Sequence, residues 1–175
     1  MKNTFAFVLS NDVLLEGDIN SRHIVIHFSD IKPFWEYATE EDYEDGKAVL
    51  FGEKLLFTMR TASGQGGIVA VWNTETNQIE HLSEASYCVA AAVKDEVVYI
   101  LRCISNFVTP AKLMLTAVDY GVIDAFDEGK EINCTLPKPD DTLCFEPEKT
   151  ELVISAGNIN IQYKGDAFPI ECIEV

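Results

Sequence analysis

Two histidines have the spacing in this chain that most resembles a metal site. His23 and His27 are four residues apart, and on a helix that spacing places both imidazoles on one face, where they can chelate zinc. On a strand it separates the rings by about 13 Å, too far to share one ion. Ile24 and Ile26 alternate with the histidines, which is the pattern of a strand. The sequence therefore predicts no metal at this pair.

A run of five carboxylates around a tyrosine is the second candidate ion site. A calcium loop needs oxygen ligands at alternate positions and a distant bidentate glutamate. Tyr43 interrupts that alternation, and Gly52 stands where the glutamate belongs. We predict instead a solvated acidic loop over residues 39–46 that binds a partner through Glu40, Glu41, Asp42, Tyr43, Glu44 and Asp45.

Motifs for catalysis are absent from the sequence. It contains no serine nucleophile elbow and no His-Glu-x-x-His, and residues 64–67 are Gly-rich but lack the lysine and helix of a phosphate loop. We predict a protein that is not an enzyme and that uses no cofactor and no metal.

The segments that must position these residues recur along the chain. Residues 47–60 align without a gap on residues 89–102, so that Arg60 falls on Arg102 at a spacing of 42 residues. Related segments centre on residues 11–12 and 147–149. A period of this size, carried by short strands, is typical of a propeller-like array.

We predict one all-β domain over residues 1–175, a small four-bladed β-propeller-like array of four-stranded antiparallel sheets. Strands over residues 22–29 and 158–163 each carry one polar face, and both lie in terminal blades, where a closed ring would bury those faces. An open stack of sheets or a β-sandwich is therefore the alternative. The predicted blades are residues 4–38, 47–83, 87–136 and 142–175.

One turn resembles the WD-type propeller repeat, whose strand closes with tryptophan and aspartate before a threonine-containing turn. Trp72, Asn73 and Thr74 follow that order, with asparagine in place of the aspartate, and residues 117–119 repeat it weakly. The resemblance covers one blade well and implies a propeller architecture in general.

Loops at one end of such an array form the first predicted binding surface. The connections between blades emerge at the same end as the second hairpin of each blade. This places the acidic segment 39–46 beside residues 64–67, 105–110 and 137–141. We expect Phe107 and Val108 to supply an apolar anchor beside the acidic rim.

The hairpin over residues 120–126 forms a second predicted binding surface at the opposite end. Tyr120 and Phe126 belong to a segment with more apolar residues than a solvated loop requires. In the alternative interpretation, this loop and the Phe107 loop fold back on their own blades.

Net charge indicates the class of partner. Thirteen basic residues oppose 29 acidic ones, giving a net charge of −16. Such a field repels nucleic acid and anionic membranes and attracts a basic protein. We predict a protein–protein interaction module for a basic protein, similar in size and charge to bacterial immunity proteins, which occlude toxins. The alternative is a small-ligand-binding or hydrolytic propeller that uses its axial mouth.

Cysteine usage and hydropathy indicate the compartment. The five cysteines form no C-x-x-C pair, so we expect reduced thiols. The longest apolar run, near residues 87–93, is too short to cross a bilayer, and the first residues do not resemble a secretory signal. The predicted location is the cytoplasm.

Overall fold

The computed structural model describes residues 3–31, 43–61, 66–104, 112–121, 130–133 and 149–169. Within these ranges the chain forms fourteen strands and one four-residue helix. In chain order they are β1 (Thr4–Ser10), β2 (Val13–Ile19), β3 (Arg22–His27), α1 (Phe28–Ile31), β4 (Tyr43–Phe51), β5 (Lys54–Thr61), β6 (Gly67–Asn73), β7 (Gln78–Glu84), β8 (Cys88–Lys94), β9 (Val97–Ile104), β10 (Lys112–Asp119), β11 (Lys130–Asn133), β12 (Thr150–Ser155), β13 (Asn158–Tyr163) and β14 (Asp166–Pro169).

The strands form four antiparallel sheets, each built from consecutive strands. Sheet 1 contains β1–β3, sheet 2 β4–β7, sheet 3 β8–β11 and sheet 4 β12–β14. The all-β prediction is confirmed. Sheets 2 and 3 have the predicted four strands, whereas sheets 1 and 4 have three in the part of the chain that the structure describes. Strands predicted over residues 34–38 and 142–145 lie outside that part.

Two-residue turns connect several of the hairpins. In the β2–β3 turn Asn20 and Ser21 have φ angles of 51° and 64°, and in the β8–β9 turn Asp95 and Glu96 have φ angles of 51° and 62°. Positive φ at both central residues matches the twist of the flanking strands, which is why asparagine, aspartate and glycine favour such turns. Local sequence therefore determines where these hairpins reverse.

A short helix replaces the predicted last two residues of β3. The strand ends at His27, whose backbone N–H donates to Asp30 Oδ2 at 2.8 Å. Ser29 N–H donates to Asp12 Oδ1 at 3.2 Å. These side-chain oxygens satisfy backbone donors that a ladder would otherwise use, so the chain turns here.

Three apolar clusters fill the spaces between successive sheets. The first lies between sheets 1 and 2, the second between sheets 2 and 3, and the third between sheets 3 and 4. Among the described residues, no such cluster joins sheet 4 to sheet 1. Representative members, in order, are Ile26 with Phe57, Val71 with Ile100, and Leu101 with Ile161.

The hairpins of sheets 2 and 3 repeat at 43 residues, not at the 42 of the sequence alignment. In β4–β5 the last paired residues are Phe51 and Lys54, and in β8–β9 they are Lys94 and Val97. Because side chains alternate between faces with a period of two, a shift of one residue exchanges the faces. The gapless alignment is therefore wrong by one position for this hairpin.

The shift changes where the two aligned arginines lie. Arg60 shares a strand face with Leu56, and Arg102 shares one with Ile100. Both Leu56 and Ile100 belong to the cluster between sheets 2 and 3. Arg60 on β5 therefore faces sheet 3, and Arg102 on β9 faces sheet 2. Each arginine lies on the second strand of its own sheet.

Sheet 1 runs in the opposite sense to the predicted array. Asn20, in the β2–β3 turn, donates through Nδ2 to the Gly52 carbonyl of the β4–β5 turn at 3.1 Å. Arg22 donates to the Thr74 carbonyl of the β6–β7 turn at 3.1 Å. If all four blades had the same orientation, the β2–β3 turn would lie at the end opposite the β4–β5 and β6–β7 turns. β1 therefore runs antiparallel to β4.

Candidate functional site

A cavity of about 500 Å³ lies where the first strands of all four sheets meet. β1 contacts β4, β4 contacts β8, and β8 contacts β12. The lining comes from residues 5–7 of β1, 45–49 of β4, 90–91 of β8 and 151–152 of β12. This volume is within the range of small-ligand pockets.

Small residues make room for the cavity and bring β1 close to β4. A Cβ atom on Gly46 would lie 2.4 Å from the Phe7 ring, so any larger residue here would force that ring to move. The same ring packs edge-on against Phe57, with ring centroids 6.4 Å apart. On β8 the cavity is lined by Ala90 and Ala91, two of three consecutive alanines whose small side chains leave this space open.

Charged side chains interrupt the apolar lining. Lys47 Nζ donates to the carbonyl oxygen of Thr150 at 2.5 Å. Asp45 Oδ2 accepts a hydrogen bond of 3.2 Å from Arg60, whose side chain is 15% exposed. Glu151 is exposed. The cavity lining thus contains two carboxylates and one lysine. Arg60 is not part of the lining but is bound to one of the two carboxylates, Asp45.

Part of the predicted acidic loop is a strand. Residues 43–46 begin β4, so the loop prediction is wrong for them. Tyr43 is 7% exposed, stacks on Phe28 at 6.2 Å between ring centroids, and belongs to the core. The side chain of Glu44 is 57% exposed, and that of Asp45 is 22% exposed. Asp45 lines the cavity, and Glu44 is its neighbour in the chain.

Six of the predicted binding residues lie outside the described part of the chain. They are Glu40, Glu41, Asp42, Phe107, Val108 and Phe126.

Tyr120 is turned inward onto sheet 2. Its ring lies edge-on to Phe51 and His81, with centroid distances of 5.6 and 5.1 Å. Its hydroxyl donates to Glu80. Tyr120 therefore contacts the neighbouring sheet, while residues 122–126 of the predicted hairpin lie outside the described residues.

Glu80 is the acceptor of a small network around Tyr120. Its carboxylate also accepts hydrogen bonds from Lys54 and from Asn73 Nδ2. Partial burial by itself would raise the pKa of Glu80, but the hydrogen bonds from Lys54, Tyr120 and Asn73 outweigh it and lower the pKa to about 2. The network joins sheets 2 and 3 and is ionised at neutral pH.

The two described cysteines are poor nucleophiles. Cys88 is buried with Sγ 3.1 Å from the carbonyl oxygen of Met59, and burial raises its pKa to about 12. Burial likewise raises the pKa of Cys103 to about 11. Because the thiolate is the reactive form, neither thiol is poised for chemistry at neutral pH.

His23 and His27 lie on a strand, as their alternation predicted. His23 is 3.2 Å from carboxylate oxygens of both Glu16 and Asp18. Across the described ranges, no three His, Cys, Asp or Glu side chains are grouped so that they could hold a metal ion. The described helix is also not long enough to cross a membrane.

Sequence reasoning missed most of the residues that define the cavity. Lys47 and Glu151 are ordinary members of strands in sequence, Gly46 ends the predicted acidic loop, and no local motif distinguishes the three. Asp45, which lines the cavity, is a predicted binding residue.

No protein-family model, curated protein or solved structure matches this chain.

Proposed function

We propose that this protein is a non-catalytic binding module that captures a basic protein partner at one acidic end of its sheets. This acidic end is defined by Asp12, Glu44, Asp45 and Glu84, which lie near the start of β4, at the end of β7 and in the β1–β2 turn. Asp12, Glu44 and Glu84 are exposed. The carboxylates of this end therefore face the solvent.

The observation that carries the proposal is the inward position of the neighbouring cations. Arg60 is bound to Asp45 and is largely buried. Arg102 donates through Nε to the Ser86 carbonyl at 3.0 Å. Arg60 is shared between Asp45 and Glu44, whose Oε2 lies 3.9 Å from its Nη2. Because two guanidinium groups stand against the four carboxylates of this end, the end keeps a net negative field at its exposed residues Glu44 and Glu84. That field would steer a basic protein to this end.

The proposed scaffold is a propeller-like array around the central cavity, with sheet 1 inverted. It is supported by the four first strands that line one cavity. The resemblance of the β6–β7 turn to a WD-type repeat agrees with this arrangement. An open stack remains the competing arrangement, because sheets 4 and 1 share no apolar cluster among the described residues.

We further propose that this module acts in the cytoplasm as an immunity-type protein. Cys88 and Cys103 are free thiols, as expected in a reducing compartment. An acidic binding module would neutralise a basic toxin by covering it. No nucleic-acid or membrane partner is proposed, since the charge disfavours both.

The test identifies a partner and then asks which end binds it. The tagged protein is incubated with extract at about 50 mM salt, and the captured protein is identified and purified. Association rates are then measured for the wild type, for E44Q/E84Q at the acidic end, and for E75Q/E96Q in the turns at the opposite end. The double variants remove the same charge.

We expect a basic partner whose association slows with added salt and slows further in E44Q/E84Q, while E75Q/E96Q behaves nearly as the wild type. Rim charges act mainly on the association rate, which is why the rate is the chosen readout. Capture of no basic protein at low salt, or equal rates for the two double variants, would overturn the proposal.

A second candidate function, small-ligand binding, is favoured by the cavity itself. An uncharged small molecule that bound there with an affinity unchanged by salt would support this function against protein capture.

A further inference from the structure

The central cavity has the composition of a site for a cation on an apolar stem. Phe5, Val49 and Leu152 supply apolar walls from three different sheets. Asp45 and Glu151 supply carboxylates from sheets 2 and 4. Lys47 lines the same cavity, but its ammonium group is bound to the Thr150 carbonyl. Apolar walls with a few placed polar groups are the usual features of a specific pocket.

Glu151 is the carboxylate best placed to receive a new cation. It is exposed, and within the described ranges its carboxylate makes no hydrogen bond or ion pair. Asp45 already accepts from Arg60, which compensates its charge. Of the two acidic groups in the cavity, Glu151 therefore has the greater remaining capacity to accept hydrogen bonds.

Lys47 shows how an ammonium group at this cavity finds a hydrogen-bond acceptor. Its stem crosses the lining while its Nζ reaches the Thr150 carbonyl, so that the charge is satisfied at a backbone oxygen. Lysine stems commonly lie along apolar surface while the ammonium group reaches a polar partner. A second lysine can use the same principle with Glu151 as the acceptor.

We infer that the cavity accepts a lysine side chain of the partner, with its methylene stem between Phe5 and Leu152 and its ammonium group donating to Glu151. This inference rests on the proposed function, because it names the anchor of the basic partner. A desolvated anchor inside a ring of steering charges is how many interfaces concentrate their affinity.

The experiment titrates N-acetyl-lysine-methylamide into ¹⁵N-labelled protein and follows the backbone amide signals. N-acetyl-norleucine-methylamide is the matched probe, since it keeps the stem and lacks the charge. E151Q is compared with E96Q, an identical substitution in the exposed β8–β9 turn.

The lysine probe should shift signals of β1, β4 and β12 in a saturable way, and the norleucine probe should bind more weakly. E151Q should weaken binding of the lysine probe by about fivefold, and E96Q should leave it unchanged. Equal binding of the two probes by the wild type would overturn the inference, and this comparison does not depend on a variant. Equal binding by E151Q and E96Q would also overturn it.

The outcomes separate this inference from the proposed function. If a basic partner binds at the acidic end but the lysine probe does not enter the cavity, the anchor is refuted and the module stands. If the lysine probe binds the cavity and no basic protein is captured, the cavity site stands and protein capture is refuted.

Discussion

Lys47 Nζ lies 2.5 Å from the carbonyl oxygen of Thr150 and so joins β4 of sheet 2 to β12 of sheet 4. The two residues are 103 positions apart in the chain. Thr150 is fully buried, so its carbonyl has little access to water as an alternative donor. This hydrogen bond holds together two sheets that do not follow each other in sequence.

Replacing Lys47 with methionine should therefore destabilise the protein. The stem is kept, while the donor to a buried acceptor is lost, and we expect a cost of about 1–3 kcal/mol in the free energy of unfolding. Urea unfolding measures this value. Lys94→Met, at the half-buried last position of β8, removes the same charge without taking a donor from a buried acceptor. It should change the free energy of unfolding by less than about 0.5 kcal/mol. Equal losses in the two variants would contradict a specific role for Lys47.

Gly46→Ala should destabilise through a clash with β1. The added Cβ would lie 2.4 Å from the Phe7 ring, and overpacking of this kind costs about 1–3 kcal/mol. Thermal unfolding gives the readout. Gly121→Ala is the control, since no atom lies within 4 Å of the Cβ that would be added there.

A second substitution tests the cause of the Gly46→Ala effect. Phe7→Leu in the Gly46→Ala background should recover part of the lost stability, because the ring is the clashing group. If the double variant loses the sum of the two single effects, the steric explanation is wrong.

The Glu80 network should make stability fall at acidic pH. The pKa of Glu80 is lowered to about 2 in the folded state, against about 4.3 for an unperturbed glutamate. A group whose folded pKa is lowered stabilises the protein above its unfolded pKa, and this contribution is lost as pH falls toward the folded pKa. The sensitive window is therefore about pH 4.5 down to pH 2.

Glu80→Gln tests this window directly. At pH 7 the variant should be less stable by about 1–2 kcal/mol, since hydrogen bonds to a charged acceptor are weakened. Urea unfolding at several pH values should show the difference from the wild type shrinking as pH falls below about 4.5. Glu84→Gln, at an exposed position, serves as the control. A difference that stayed constant down to pH 2 would contradict the role of the Glu80 charge.

Cys88 and Cys103 should resist alkylation while the protein is folded. Burial raises the pKa of both thiols, to about 12 and about 11, so that very little thiolate exists at pH 8. Iodoacetamide treatment followed by peptide mass spectrometry should modify both sites in urea and neither in buffer. Rapid modification of Cys88 in buffer would show that its end of sheet 3 opens to solvent.

Hairpin positions were predictable because the signals are local. Alternation and turn residues predict four strands with their observed bounds, over residues 4–10, 67–73, 112–119 and 158–163: β1, β6, β10 and β13. The helix after β3 was missed, since capping by Asp12 and Asp30 depends on side-chain geometry and not on periodicity. Burial of Tyr43 was also missed, because the surrounding carboxylates suggested a solvated loop.

Sequence by itself determined that the chain is all-β, with strands bounded by turns whose residues favour positive φ, and with an excess of negative charge. Only the tertiary structure decided that sheet 1 is inverted, that Arg60 and Arg102 face one shared space, and that Lys47 meets Thr150. The physical reason is separation along the chain. Turn chemistry acts between neighbouring residues, whereas sheet direction, strand face and the central cavity depend on packing between segments tens of residues apart.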